Sequence, residues 1–299
     1  MSRDEKLEVN DLSSSAVEGD RRRCCGPVPT AVPCVLFPLL LAGIGVSVFI
    51  LAVVHNALLL VALLLISALV AAFFLWNAAS QRSNRALRVF LDRFPASDLR
   101  AAADGQLVKI TGFASCCDVS LVSSYEKVER CVYTSTSLYS YSGCKSYLSN
   151  AKNRCFRWNL TYLERLAADF YITDAKSGTR ALVKAGSNSK VIPLVDENIL
   201  VNTTLRNREL SSTLKNWLEE RHLSADSLLR LEEGYIKEGR SLTVMGMLSR
   251  KSGAIMIVPL PEPIATGCLL QNLLLPVDVD GLLLKISDKN LFMPNLAVS

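Results

Sequence analysis

The chain has 299 residues, 50% of them hydrophobic and 20% charged, with a formal net charge of +5. A surplus that small does not supply the basic surface that nucleic-acid binding requires, and two histidines leave little room for Cys–His or histidine-metal chemistry. Nine cysteines are present, so their meaning depends on which side of a membrane they occupy.

Residues 1–33 read as a short disordered cytosolic tail of mixed charge, ending in the Pro-rich "GPVPTAVP". No cleavable leader is expected, because this stretch is polar and the apolar segment after it is too long for one. Within the tail "RRRCC" sets Cys24 and Cys25 beside a basic cluster near the membrane, a setting for S-palmitoylation and contact with anionic lipid headgroups.

From Val35 to Trp76 the chain is apolar except at His55 and Asn56. One helix of that length would be about twice the thickness of a bilayer core, so residues 34–76 predict a transmembrane hairpin with spans at about 35–54 and 57–76. Arginines precede the first span (Arg21, Arg22, Arg23) and follow the second (Arg82, Arg85, Arg88, Arg93), whereas the turn has none, which puts both termini in the cytosol. The cysteines after the spans then read as free thiols, and Asn159 and Asn202, although in sequons, would carry no glycan. Gly43 with Ser47, and Ala68 with Ala72, are spaced for close helix packing within the hairpin or for self-association into a homo-oligomer. Neither span carries a charge, which argues for an anchor and against a transport path.

Residues 77–103 predict juxtamembrane helices. In the first, Leu87, Phe90, Leu91 and Phe94 form a stripe suited to the soluble domain or the leaflet, and Arg82, Arg85 and Arg88 are candidates for lipid contact. The second is expected from Ser97 as cap through Ala103.

Residues 104–299 predict a β-rich cytosolic domain of about 200 residues, enough for one core. "DGQLVKITGFAS" and "EGRSLTVMGMLS" repeat one pattern of alternating apolar residues closed by glycine, the device by which a small barrel bends its strands. Further strands are read at "RCVYTSTSLYSY", at "ADFYITDAKSGTRALVKAG" with a turn at "DAKSG", and at "SRKSGAIMIVPL". "LSSTLKNWLEERHL" predicts an inserted helix with Leu214, Trp217 and Leu218 on one face. The fold class is therefore α+β, a two-helix transmembrane hairpin followed by an OB-like barrel with inserted helices.

The search for chemistry returns little. "CC" at Cys116 and Cys117 lacks zinc-ligand spacing, no phosphate loop or nucleophile elbow is present, and Glu232, Glu233 and Glu238 read as surface charges at the start of a strand. We expect no catalytic residue, metal or cofactor. Tyr133, Tyr139 and Tyr141 lie close together in one strand and are the candidate partner surface. A rival reading is a membrane-tethered enzyme or ligase accessory using Cys131 or Cys155 with His222.

The strings "DGQLVKITG", "SSYEKVERCVYTST", "ADFYITDAKSGTRALVKAGSNSKV", "EEGYIKEGRSLTVMGML" and "MIVP" resemble the plant Shou-four family. That resemblance implies a two-span protein of the plasma membrane or secretory pathway that restrains delivery of cellulose synthase complexes by binding the synthase, with no catalytic residues. The chain departs from the family in its short tail and in "GCLLQNLLLPVDVDGLLL", which lacks the aromatic residues often found there. The domain is also similar, more distantly, to the GIDE domain of membrane-bound ubiquitin ligases, without a RING cysteine array. The partners expected are thus another membrane protein and anionic lipid, and no nucleic acid.

Overall fold

A computed structural model describes residues 9–14, 31–55, 57–82, 84–142, 157–186, 188–204, 210–251, 253–267 and 272–287. The fold is α+β and mostly strands, divided into two compact units. The first unit joins residues 1–18, 95–262 and 280–299, and the second joins residues 19–94 and 263–279.

The first unit is built on a closed ring of five strands. β2 (Leu107–Cys116) pairs antiparallel with β5 (Phe170–Asp174) and with β10 (Ser241–Lys251). β5 pairs with β6 (Arg180–Val183), β6 runs parallel to β11 (Ala254–Val258), and β11 returns antiparallel to β10. Alternate residues Val108, Ile110, Ile172, Val183, Val244 and Ile257 point inward and are fully buried, which is the hydrophobic gain that holds the ring closed. β14 (Leu282–Ile286) pairs with β10, and β7 (Val191–Leu194) runs parallel to β14.

The repeated glycine pattern has a direct structural counterpart. The two echoing segments are β2 and β10, partners in the ring with Ile110 opposite Val244. Along β10 the neighbour on one side changes from β14 to β11 at Gly246, where a Cβ would lie 2.7 Å from the Val258 oxygen and 2.7 Å from Leu282 Cδ1. At Gly112, β2 is flanked by both β10 and β5, and a Cβ would lie 2.0 Å from the Thr173 oxygen. No side chain fits at either approach. The expected turn at "DAKSG" closes β5 onto β6, with the Asp174 carboxylate accepting from the Lys176 and Ser177 amides.

A second, five-stranded antiparallel sheet is inserted into the barrel chain in the order β1 (Asn10–Asp11), β4 (Arg157–Ala167), β3 (Cys131–Ser142), β9 (Leu228–Lys237), β8 (Asn198–Asn202). The inserted helix, numbered α4 (Ser212–Glu220), begins at Ser211, whose hydroxyl accepts from the Leu214 amide at 3.2 Å. It lays Leu214, Trp217 and Leu218 on Leu138, Leu229 and Leu231. Each of these side chains contributes about 1.5–3 kcal/mol by leaving water.

Two expectations are corrected here. Residues 9–14 are not tail: β1 pairs Asn10 with Ala167 and Asp11 with Leu166, Leu12 is buried in the barrel core, and the Asn10 amide donates to the Ala185 and Ser189 oxygens at 3.2 and 2.7 Å. Four polar residues with only Val9 and Leu12 among them carry no period from which a strand can be read. Nor does Ser97 cap a helix. Its hydroxyl accepts from the Lys109 amide and its own amide donates to the Lys109 oxygen, so the residue is spent on β2 and only a turn follows.

The second unit contains α1 (Ala31–Val54), α2 (Leu58–Arg82) and α3 (Arg85–Arg93), with a small pairing between β12 (Ile264–Ala265) and β13 (Asp278–Val279). Among the described residues one helix is long and apolar enough to cross a membrane: Leu58–Ser80, 23 residues with a mean hydropathy of 3.1 and nothing buried in its apolar window. α1 contributes the shorter apolar stretch Pro38–Val53. The break at His55 is as expected, with His55 at φ 58 between the two helices, while Asn56 lies outside the described residues.

Candidate functional site

Strand β3 carries the tyrosines singled out from sequence, and its two faces differ in chemistry. Tyr133, Ser135 and Ser137 share one face, and Thr134, Thr136 and Leu138 the other. On the first face the Ser135 and Ser137 hydroxyls donate to the Glu197 carboxylate, as does the Arg165 guanidinium at 3.0 Å. Glu197 reaches this position because its segment crosses above Gly234, where a Cβ would lie 3.2 Å from the Asp196 oxygen. Tyr133 is 1% exposed, and burial pushes its phenol up to about 12. That removes Tyr133 from the expected partner surface, since the strand drives this end into the core. Tyr139 and Tyr141 are half-buried, and Tyr141 meets Trp158 edge-on with ring centres 5.4 Å apart.

The second face holds Glu233, read from sequence as a surface charge but only 1% exposed. Its carboxylate accepts from the Tyr125 amide at 2.8 Å, the Glu126 amide at 2.9 Å and the Thr136 hydroxyl at 3.0 Å. The group fastens the 123–130 loop to the sheet, a structural use of a carboxylate. The one signal in the sequence was its alternation with Leu229 and Leu231, which puts it on their buried face; its partner Thr136 is set only by the pairing of β3 with β9.

Glu238 accepts from the Cys116 amide at 3.0 Å and pairs with Arg130, which holds its carboxyl below the ordinary value of 4.5. Cys116, Cys117 and Cys131 are free thiols. Burial pushes Cys117 and Cys131 up to about 11, opposite to the shift that activates a nucleophile. Cys131 Sγ is directed at the Val128 oxygen at 3.5 Å. His222 closes α4: it has φ 55, its amide donates to the Glu219 oxygen, and the Leu223 amide donates to the Leu218 oxygen. This pair of bonds is a Schellman cap. Among the described residues no group of three or more His, Cys, Asp or Glu is arranged to hold a metal ion. Cys24, Cys25, Cys144, Cys155 and Cys268 lie outside the described residues.

In the second unit Gly43 faces Leu63 of the neighbouring helix, where a Cβ would lie 3.4 Å from Leu63 Cδ1, and Ser47 donates to the Gly43 oxygen at 2.8 Å. Gly43 therefore lets α1 approach α2, with Ser47 buried one turn on, whereas the expected second pair, Ala68 and Ala72, is exposed and takes no part in this packing. Of the basic residues proposed for lipid, Arg85 lies over the Trp76 ring at 4.7 Å and is exposed, Arg88 is half-buried, and the Arg82 side chain lies outside the described residues. On the same helix Leu87 and Leu91 are buried, so that stripe is not offered to a leaflet. Ala86 and Val89 pack on Leu274 and Val277.

Comparison with known proteins gives one informative likeness. Over 268 residues the chain is 40% identical to the Arabidopsis thaliana protein described as "Uncharacterized membrane protein At1g16860", an alignment covering 89% of this chain and 56% of that protein. The chain is similar to a plant membrane protein. It spans about half the length of that relative. No family model matches, and no solved structure matches.

Proposed function

We propose that the chain is a non-enzymatic integral membrane adaptor of the Shou-four type, a two-span hairpin that holds an OB-like cytosolic domain at the membrane, where it binds another membrane protein. In this reading the partner is a trafficking cargo such as the cellulose synthase complex. The likeness to an Arabidopsis membrane protein supports the setting, and the ring order β2, β5, β6, β11, β10 with its one parallel pair matches the Greek-key order of an OB barrel.

The observation that carries the topology is β1. Residues 9–14 precede the helices and residues 95–262 follow them, yet β1 and β4 belong to one sheet and one compact unit. Parts of one sheet cannot stand on opposite sides of a bilayer, so the chain between them crosses an even number of times. If α2 crosses, α1 crosses as well, and its shorter apolar stretch is the return leg. The arginines on the flanks then favour the cytosol for both ends. Tethering raises the local concentration of the domain next to membrane partners, so a modest surface around Tyr139 and Tyr141 is sufficient.

The test is glycosylation of Asn159 and Asn202, both exposed, in cells expressing the full chain. Absence of a glycosidase-sensitive mobility shift, with the C-terminus open to protease in sealed vesicles, is the expected result. A shift would put the domain in the lumen and overturn the reading. Recovery of a membrane-protein partner that is lost on changing Tyr139 and Tyr141 together to Ser would support the adaptor role, and unchanged recovery would remove that surface.

A further inference from the structure

The end of α2 is tied to a loop from much later in the chain. Asn77, buried, donates from Nδ2 to the Leu273 oxygen at 3.0 Å and accepts at Oδ1 from the Leu275 amide at 2.8 Å. One residue earlier, Trp76 Nε1 donates to the Asn272 oxygen at 3.3 Å, and Arg93 donates to the Asn272 side chain at 2.7 Å. Leu274 turns inward onto Ala86. Leu273 turns outward: it is 62% exposed and has φ 52, a conformation costly for a leucine. The loop therefore holds a strained backbone with three side-chain hydrogen bonds to its main chain, and the residue displayed is apolar.

We propose that residues 272–275 form a membrane-contacting tip, with Leu273 inserted at the boundary between headgroups and acyl chains of the leaflet where α2 ends. The inference rests on reading α2 as a span. Given that reading, the height of the loop is set by Trp76, Arg85 and Asn77. Trp76 carries an indole N–H on an apolar ring, the combination enriched at the membrane interface, and the guanidinium of Arg85 lies over it as a cation at headgroup level does. Asn77 is the first amide after the uncharged run, so the loop it grips sits at the same depth. Leu69 and Trp76, seven residues apart and so on one face of α2, are both exposed, and Trp76 holds the loop at Asn272, next to the exposed Leu273; the lipid that covers that face in the span reading is therefore the occupant of the tip. The tip gives the segment 263–279 a membrane contact separate from the hairpin itself.

The experiment uses the full chain in cell membranes labelled with alkyne-bearing fatty acids, with photoreactive p-benzoylphenylalanine placed singly at Leu69, Leu273 or the exposed Asp278. After irradiation, the expected lipid adduct at Leu273 is at least roughly fivefold above that at Asp278 and approaches that at Leu69. Adducts at Leu69 with none above the Asp278 level at Leu273 overturn the tip and leave the span. Adducts at neither Leu69 nor Leu273 overturn both. A protein adduct in place of lipid at Leu273 overturns the lipid assignment in favour of a protein contact. Adding Asn77→Ala, which frees the loop without touching Leu273, is expected to lower the Leu273 adduct while leaving that at Leu69; an unchanged Leu273 adduct would refute positioning by Asn77.

Discussion

Glu233 offers a sharp test of how the inserted sheet is held. Changing Glu233 to Ala strands two backbone amides and one hydroxyl that now point at its carboxylate from 2.8, 2.9 and 3.0 Å. An orphaned buried polar group costs about 1–3 kcal/mol, so with the Thr136 hydroxyl free to rotate the two stranded amides sum to about 2–6 kcal/mol. Against the usual total of roughly 5–15 kcal/mol that is a large fraction. For a domain of this size it corresponds to a drop in Tm of roughly 4–24 °C. The assay is thermal unfolding of the full chain in detergent micelles, followed by near-ultraviolet circular dichroism and by protease sensitivity. Glu233→Gln keeps one acceptor oxygen and the shape, so it should lose only about 1–3 kcal/mol. Glu220→Ala, whose side chain is 64% exposed, should stay within about 0.5 kcal/mol of the parent. An Ala variant as stable as Glu220→Ala, or a Gln variant no better than Ala, would refute the view that this carboxylate fastens the loop.

The barrel glycines should separate by environment: Gly112→Ala meets the Thr173 oxygen at 2.0 Å and is expected to abolish cooperative unfolding, whereas Gly178→Ala, with φ +66 but open space, should cost about 1 kcal/mol in the same melt. Glu238 has a folded pKa depressed below 4.5, so its contribution to stability is present above that value and fades as pH falls through the lower folded value. The stability difference between parent and Glu238→Gln should thus be visible at pH 6 and small near pH 3, and its persistence at low pH would contradict the Arg130 pairing; with Arg130 largely exposed, the difference is modest. Cys131, buried with its thiol raised to about 11, should resist iodoacetamide at pH 8 until the chain is unfolded, as read by mass spectrometry.

Much of the barrel was legible because its signals are local. The alternation in "LVKITG" and "LTVMGM", the Asp-Ala-Lys-Ser-Gly turn, and the Ser-capped stripe of Leu214, Trp217 and Leu218 each state their conformation within a dozen residues. What stayed hidden depends on partners distant in the chain. Tyr133 and Tyr139 lie on one strand with similar neighbours, yet only the fold determines that the first points into the core and the second lies near the exposed end. Glu233 looks like a solvated acid beside Glu232, and its burial follows from a loop more than a hundred residues earlier supplying two amides. Strand β4, "RWNLTYLERLA", was not read at all, because Trp158, Leu160 and Tyr162 alternate with Asn159 and Thr161 for only five residues before the pattern breaks at Leu163, beside the shift in register with β3. The grip of Asn77 on the 273–275 loop was equally invisible, being a contact between two polar-apolar boundaries that no periodicity links.

The pairing of β1 also imposes an order on biosynthesis. The Asn10 side chain bonds to an oxygen 175 residues further along the chain. At a synthesis rate of about 5–20 residues per second, this acceptor emerges roughly 10–35 s after Asn10 does. Both apolar helices leave the ribosome within that interval, so in the two-span reading proposed above the choice of orientation is made while the N-terminal segment has nothing to pair with. In that reading closure of β1 onto β4 comes afterwards and would act as a proofreading step, since a chain inserted with its ends on opposite sides would leave Leu12 and the edge of β4 uncovered. Such a chain would present the features that quality-control chaperones bind, and a fusion that blocks residues 9–14 should mimic one.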